Sequence, residues 1–387
     1  MTDDSSSQAA KAQSRNPADV VGSLPLVLPD GGVGHVNIRR RVEYSSAVEP
    51  LVGRAWTYEE RLLSKRIVNF GQSISWRCLD SHYLLGDTGD HWFSPDEENV
   101  KSVRGEPLSI ALQPKRLLRR WHDLVTAYST RSVYNEGDKL PAIAGIVQQI
   151  QPDNNPQAYV AGLWRSQLAS DLLWCMPQYG TKSSKWRAPS WSWAALNGLV
   201  RFQDAADMVD GTRILISDAK YNMKLKSELS PFGELRSASL HLTGKIGRAE
   251  RGLIAWKSPH GNAAVALEEI LCSPEDPSTI SYAGTSRLKV DIVEDSLARP
   301  MDSTMQVDVG ETRLIRSEPV WCLPVHGTVE FEPDQSWEDD MLETRMDGLL
   351  LRKLEDESYS RIGIFEVAKY DDGRYFTWGE NERIHLV

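Results

Sequence analysis

The 387-residue chain has only four cysteines, and their spacing excludes several kinds of site. Cys78, Cys175, Cys272 and Cys322 form no C-x-x-C pair, so neither a zinc knuckle nor a redox dithiol is indicated. We expect four buried thiols. The G-x-S-x-G elbow, the G-x-x-x-x-G-K-[ST] phosphate loop, the G-x-G-x-x-G dinucleotide loop and the H-E-x-x-H zinc motif are absent as well.

Long apolar runs and an excess of basic charge are also lacking. No stretch approaches the roughly 20 apolar residues needed to cross a bilayer, and no signal-peptide pattern opens the sequence. A net charge of -10 argues against general affinity for nucleic-acid phosphates. We therefore predict a cytoplasmic protein that binds neither membrane nor nucleic acid. Because the spacing of His82, Asp87, Asp90 and His91 matches no standard ligand pattern, we predict no metal site.

The chain is rich in tryptophan instead, with 13 residues, which indicates heavily packed loops or hairpins. Its length allows two folded units. Residues 1–21 are rich in Ser, Ala and Asp and have too little apolar surface to fold alone, so we predict that they are disordered.

Apolar periodicity predicts helices up to about residue 208 and strands after it. Residues 114–130 carry one apolar stripe. The basic residues of this segment, which include Arg116, Arg119 and Arg120, are predicted to be solvated. Asp138 is predicted to cap a second helix, and a third is expected near residues 163–175. We predict an α+β fold: a helical and hairpin region over 22–208, then a mostly antiparallel β domain over 209–387, a sandwich or distorted barrel.

Residues 52–78 are the most informative stretch of the sequence. Thr57 and Glu60 have the spacing of a capping box, which predicts a helix from about Tyr58 with Trp56 closing over Leu62 or Leu63. Two short apolar strands then flank the turn-prone residues 71–73.

This stretch resembles the last block of the fungal heterokaryon-incompatibility (HET) domain. The matching residues are Arg54-Ala55-Trp56-Thr57 and Glu60-Arg61-Leu62-Leu63-Ser64. Five further segments of the chain resemble segments that regularly follow that domain. They are Asp138-Lys139-Leu140-Pro141-Ala142, Ala161-Gly162-Leu163-Trp164, Ala188-Pro189-Ser190-Trp191-Ser192-Trp193-Ala194, Phe232-Gly233-Glu234-Leu235 and Gly348-Leu349-Leu350-Leu351.

The sequence departs from the family at its beginning. The family's domain opens with an alternating α/β part that contains a Ser-Tyr-x-Trp-Gly type strand, and no such motif precedes Trp56. The chain is therefore expected to begin inside the domain, either as a shortened relative or because its start codon has been placed too late.

The chemistry-bearing residues of the motif have structural interpretations that we favour. Capping accounts for Glu60, the one candidate for a catalytic carboxylate, and Arg61 is expected to pair with Glu or cover Trp and not to clamp a phosphate. Trp191 and Trp193 alternate like a short strand and either stack a base or fill a core; we favour the core. Arg61, Trp191 and Trp193 remain the candidate ligand or partner surface.

The resemblance implies a role in fungal non-self recognition, in which HET-domain proteins trigger programmed cell death when different hyphae fuse. Without the opening part, we expect a non-catalytic recognition or regulatory module that needs no cofactor and pairs with a protein, such as a full-length HET-domain relative. Two alternatives stay open: a TIR-like NAD hydrolase that uses Glu60, and a truncated fragment without independent activity.

Overall fold

The computed structural model describes residues 20–39, 51–70, 74–78, 82–84, 114–150, 158–178, 180–202, 212–256, 265–272, 281–282, 287–290, 312–327, 345–368 and 377–387. The chain separates into two compact units, Met1–Pro107 and Leu108–Val387. This division does not coincide with the predicted boundary at 208/209. Of the segment predicted to be disordered, residues 1–19 lie outside the described part, and the first strand begins at Val20.

The first unit contains the predicted N-terminal hairpin. Strands β1 (Val20–Val27) and β2 (Val33–Arg39) pair antiparallel, with Leu26 opposite Gly34. The turn between them contains Gly31 at φ +83°, a backbone conformation that glycine adopts without steric cost. The Asp30 carboxylate accepts a hydrogen bond from the Gly32 N–H at 2.9 Å, which fixes the turn.

A short helix and a small sheet follow in the same unit. Helix α1 spans Ala55–Leu63, and strands β3 (Arg66–Phe70), β4 (Ile74–Cys78) and β5 (His82–Leu84) form an antiparallel sheet in that order. The predicted capping box is wrong. Arg54 is the N-cap residue and its side chain makes no cap hydrogen bond, so the helix begins three residues before Tyr58.

The second unit contains the three remaining helices of the described residues: α2 (Pro114–Ser129), α3 (Ala144–Ile150) and α4 (Leu168–Leu172). The predicted stripe of α2 is confirmed for Trp121, Leu124, Val125 and Tyr128, which are all fully buried. Arg120 is buried too. The prediction of a solvated basic face is therefore wrong at this position.

The other two helices are shorter than predicted. Two 3-10 turns, Glu136–Lys139 and Pro141–Ile143, precede α3, and the cap of the first is Asn135, whose side chain accepts from the Gly137 N–H. Asp138 is therefore not the cap. In the segment 163–175, a 3-10 turn, Arg165–Gln167, leads into the five-residue α4, and both ends of the segment are extended. It lies among six two-residue strands that pair antiparallel as β6–β7, β8–β11 and β9–β10: β6 (Tyr159–Val160), β7 (Leu163–Trp164), β8 (Trp174–Cys175), β9 (Thr181–Lys182), β10 (Leu196–Asn197) and β11 (Arg201–Phe202).

The rest of the described chain is one ten-stranded sheet. Its strands are β12 (Arg213–Ile214), β13 (Ser217–Leu225), β14 (Leu235–Trp256), β15 (Val265–Cys272), β16 (Ser281–Tyr282), β17 (Arg287–Val290), β18 (Thr312–Gly327), β19 (Arg345–Lys353), β20 (Tyr359–Ala368) and β21 (Thr377–Leu386). The order β14-β18-β19-β20-β21 returns to β14, so these five strands close into a barrel. The α+β fold is confirmed, with the barrel as its β architecture.

The barrel encloses a dense apolar core. Its cluster comprises Ala249, Val320, Cys322, Leu350, Ile362 and Phe365, with Met346 packed against it. Gly348 belongs to one of the family-like blocks, and the core explains why it is glycine. A Cβ atom at this position would lie 2.5 Å from Cε1 of Phe365 and closer still to the carbonyl oxygen of Leu323.

Candidate functional site

Helix α1 carries the family-like motif and buries only part of it. Ala55, Tyr58 and Leu62 point into the unit and are buried, whereas Trp56 is 44% exposed. Of the other motif residues, Arg54 and Glu60 are exposed, and Thr57, Arg61 and Leu63 are half-buried. The helix therefore presents both an indole and a carboxylate at its surface.

Thr57 fixes the entry to the helix in a different way from a cap. Its hydroxyl donates to the Leu51 carbonyl at 2.5 Å and is also within hydrogen-bond distance of the Arg54 carbonyl, at 2.9 Å. Both acceptors lie before the first helical residue, so the hydroxyl ties the preceding turn to α1. This contact gives Thr57 a scaffold role.

The sheet that follows the motif has an exposed apolar face. Val68 is 50% exposed, Phe70 70% and Trp76 36%, and Val68 pairs with Trp76 across the β3–β4 ladder. Since side chains alternate along a strand, Val68 and Phe70 point to the same side as their cross-strand partners. We call Val68, Phe70 and Trp76 the apolar face.

Trp191 and Trp193 lie in the core of the second unit. Neither is in a strand: Trp193 begins a 3-10 helix, Trp193–Ala195, directly after a turn, so the strand alternation predicted for these residues is wrong. Both side chains are fully buried. A ligand or partner surface needs an exposed ring face, so the observed burial agrees with the core interpretation.

Two family-like blocks meet at these indoles. Trp193 Nε1 donates to the Gly162 carbonyl at 2.8 Å, and Trp121 Nε1 donates to the same oxygen at 3.1 Å. The Ser192 hydroxyl donates to the neighbouring Ala161 carbonyl at 2.6 Å. The blocks around Gly162 and Trp193 are therefore joined through buried hydrogen bonds.

A third set of contacts joins this helical part to the barrel. The Arg361 guanidinium of β20 lies 3.6 Å from the centre of the Trp174 ring and also donates to the Trp174 carbonyl. The Ser190 hydroxyl accepts from the Arg361 N–H at 2.9 Å and donates to the Val387 carbonyl. The helical part before residue 203 and the barrel are thus in direct contact within the second unit.

A buried histidine–aspartate pair lies beside this core. His122 Nε2 is 2.8 Å from Asp171 Oδ1, while Asp171 Oδ2 accepts from the Trp164 N–H at 2.6 Å. Burial raises the pKa of the Asp171 carboxyl, and the hydrogen bond to His122 opposes that rise. The His122 ring also stacks on Phe202, with 3.8 Å between ring centres. Residues so far apart in sequence form no motif, so sequence reasoning missed the pair.

Lys139, in the block at 138–142, is a buried lysine with structural partners. Its ammonium donates to the Ser129 carbonyl at 2.8 Å, where α2 ends, and the Tyr128 hydroxyl donates to the Lys139 carbonyl at 2.6 Å. Burial, together with the positive charge of Arg187, lowers the pKa of Lys139 to about 7. The contacts indicate a helix C-terminal cap.

Glu136 makes a concentrated set of polar contacts with Ser183, Ser184 and Lys185, which we call the Glu136 clamp. Glu136 Oε2 accepts from Ser184 Oγ at 2.6 Å, Ser184 N at 2.9 Å, Ser183 Oγ at 3.0 Å and Lys185 N at 3.3 Å. These donors hold the pKa of Glu136 down to about 2. No sequence pattern predicts this contact, because the two segments lie far apart along the chain.

Among the described residues, no group of three or more His, Cys, Asp or Glu side chains is arranged to hold a metal ion. Asp87, Asp90 and His91 lie outside that part of the chain. None of the helices in the described ranges is long and apolar enough to cross a membrane. In comparisons with known proteins, no family model, no curated protein and no solved structure matches this chain.

Proposed function

We propose that the chain is a non-catalytic recognition module similar to HET-domain proteins, acting in the cytosol in fungal non-self recognition and cell-death signalling. The observation that supports this proposal is the apolar face of the first unit, formed by Val68, Phe70 and Trp76. Contiguous exposed apolar side chains are typical of surfaces that bind other proteins.

The position of the apolar face favours a partner that contributes a strand. β3 is the outer strand of the described order β3-β4-β5. An added strand would pair with β3 and extend the apolar face at the same time. The proposed partner is a full-length HET-domain relative. By the resemblance, such a relative has the opening α/β part of the domain.

The motif residues are assigned scaffold roles within this proposal. Thr57 holds the turn before α1, and Ala55, Tyr58 and Leu62 anchor the helix from inside. Glu60 is exposed, and no catalytic role is proposed for it.

Affinity capture with a matched pair of variants tests the proposal. The bait is the purified chain as wild type, as the double variant Val68→Ser/Phe70→Ser, or as Leu229→Ser, in a fungal lysate that contains a tagged full-length HET-domain protein. Leu229 is the control, since it is 95% exposed and lies in the second unit. We expect wild type and Leu229→Ser to retain the tagged protein and the double variant to lose most of it, because the apolar contact area is removed.

Two outcomes contradict the proposal. One is that no bait retains the tagged protein. The other is that the double variant retains it as well as Leu229→Ser does, which would place binding elsewhere on the chain.

A further inference from the structure

The loop that holds Glu136 is built to bind an anion. Four hydrogen-bond donors converge on one carboxylate oxygen, two from serine hydroxyls and two from the consecutive backbone N–H groups of Ser184 and Lys185. Such a set of donors suits phosphate oxygens as well as a carboxylate. The anion bound by these donors is the Glu136 carboxylate of the chain itself.

The same loop has the accessibility of a modification site. Ser184, Lys185 and Trp186 are exposed, Ser183 is half-buried, and residues 183–187 form no helix or strand. Lys182 and Lys185 place positive charge on both sides of the serines, and both are exposed. An exposed, irregular, basic segment can be held extended in the cleft of a protein kinase.

We propose that Ser184 is a phosphorylation site and that its modification opens the Glu136 clamp. In the reaction, Ser184 Oγ attacks the γ-phosphorus of a nucleoside triphosphate held by the kinase. The bond to the β-phosphate oxygen breaks, the nucleoside diphosphate leaves, and the hydroxyl proton passes to the kinase's base.

The product is incompatible with the clamp for two reasons. A phosphate with about -1.5 to -2 charge at pH 7 would be attached to the very oxygen that lies 2.6 Å from Glu136 Oε2, so the two anions repel each other. The hydroxyl hydrogen that bonds Glu136 is also replaced, and the phosphate oxygens compete for the N–H groups of Ser184 and Lys185. Glu136 is therefore displaced from the loop.

Displacement of Glu136 loosens the first part of the turn that carries it, while Lys139 at the end of the turn stays bound to Ser129 and Tyr128. Apart from the clamp, residue 136 is tied to this region by Arg187 Nη1, which donates to the Glu136 carbonyl over 3.4 Å. That bond is long, so it holds the turn weakly. Residues 136–138 of the 3-10 turn Glu136–Lys139 therefore become more mobile when Ser184 is modified.

The first test installs phosphoserine at position 184 of the full chain and measures amide hydrogen exchange. We expect the amides of residues 136–138 to exchange on the order of tenfold faster, as in the unmodified Glu136→Ala variant, because both changes remove the same contact. Phosphoserine at exposed Ser217 of β13, which pairs with Thr243 of β14, is the charge control and leaves this segment unchanged. Unchanged exchange in the 184-modified protein would overturn the proposal.

The second test addresses access. The intact protein is incubated with adenosine triphosphate and a purified serine kinase that prefers basic residues, and the phosphate is located by mass spectrometry. We expect it on Ser184 in wild type, faster in Glu136→Ala because the hydroxyl is released, and nowhere in residues 181–187 of Ser184→Ala. Phosphate on Ser183 alone, or on neither serine, would overturn the proposal.

Discussion

The Gly162 carbonyl oxygen shows how single atoms organise the second unit. It accepts from the indoles of Trp121 and Trp193, and the residue itself adopts φ +99°. A Cβ atom here would lie 2.7 Å from Trp193 Nε1, so only glycine allows both the conformation and the approach. The sequence predicted buried tryptophans but not their shared acceptor, because a hydrogen-bond partner is set by tertiary contact.

At the same scale, the Glu136 clamp predicts a pH dependence. The pKa of Glu136 is lowered from 4.5 to about 2 in the folded protein, so the folded state favours the ionised carboxylate. Its contribution to stability is therefore present above about pH 4.5 and is lost as the pH falls towards 2. We expect the urea midpoint of wild type to fall more steeply over this range than that of Glu136→Gln, which cannot titrate.

The comparison isolates one group, since all other carboxylates are common to both proteins. Parallel midpoint curves for wild type and Glu136→Gln between pH 4.5 and 2 would show that the clamp does not stabilise the fold.

At the scale of elements, periodicity predicted long helices better than short ones. The stripe of α2 repeats over four turns and predicted its buried residues correctly from Trp121 to Tyr128. The segment 163–175 has similar spacing, yet only Leu168–Leu172 is α-helical, because both ends pair as strands. A spacing of three or four residues over so short a segment does not distinguish a helix from a folded loop with the same buried residues.

The start of α1 gives a prediction that separates two accounts of the motif. In a capping box, the side chains of Thr57 and Glu60 would both stabilise the start of α1. The observed contacts involve only the Thr57 hydroxyl. We expect Thr57→Ala to lower the local free energy of opening of α1 by about 0.5–1.5 kcal/mol, because it removes a hydrogen-bond donor. Glu60→Ala should leave this value unchanged. Amide hydrogen exchange of residues 55–63 measures both.

Equal effects of the two substitutions on α1 would restore the capping box. A loss of exchange protection throughout the first unit in Thr57→Ala would show that the hydroxyl supports more than the helix entry.

At the scale of the whole molecule, the helical part and the barrel both belong to one compact unit, Leu108–Val387. The sequence predicted a boundary at 208/209, where the apolar period changes from helical to alternating. Periodicity reports the type of secondary structure and not which elements pack together. The contacts of Arg361 and Ser190 cross that point, and no local pattern announces them.

Arg361 therefore offers a test of this continuity. We expect Arg361→Lys to destabilise β8 and β20 together by about 1–3 kcal/mol, since lysine cannot replace the planar stacking on Trp174 of β8 and the carbonyl contact at once. The control is Arg352→Lys on β19, a position 38% exposed whose guanidinium is 3.8 Å from Glu318. Hydrogen exchange of β8 and β20 amides measures the coupling. Faster exchange in β20 with β8 unchanged would mean that the two parts open independently.

The 22-residue strand β14 pairs with β13, β15, β18 and β21, and two of these partners begin only at Thr312 and Thr377. During translation, β14 leaves the ribosome well before either of them. The edge of β14 that pairs with β18 and β21 therefore stays solvated and without its partner strands until residue 386 has been synthesised. A nascent chain that stalls between these points is the form most exposed to aggregation and most dependent on chaperones.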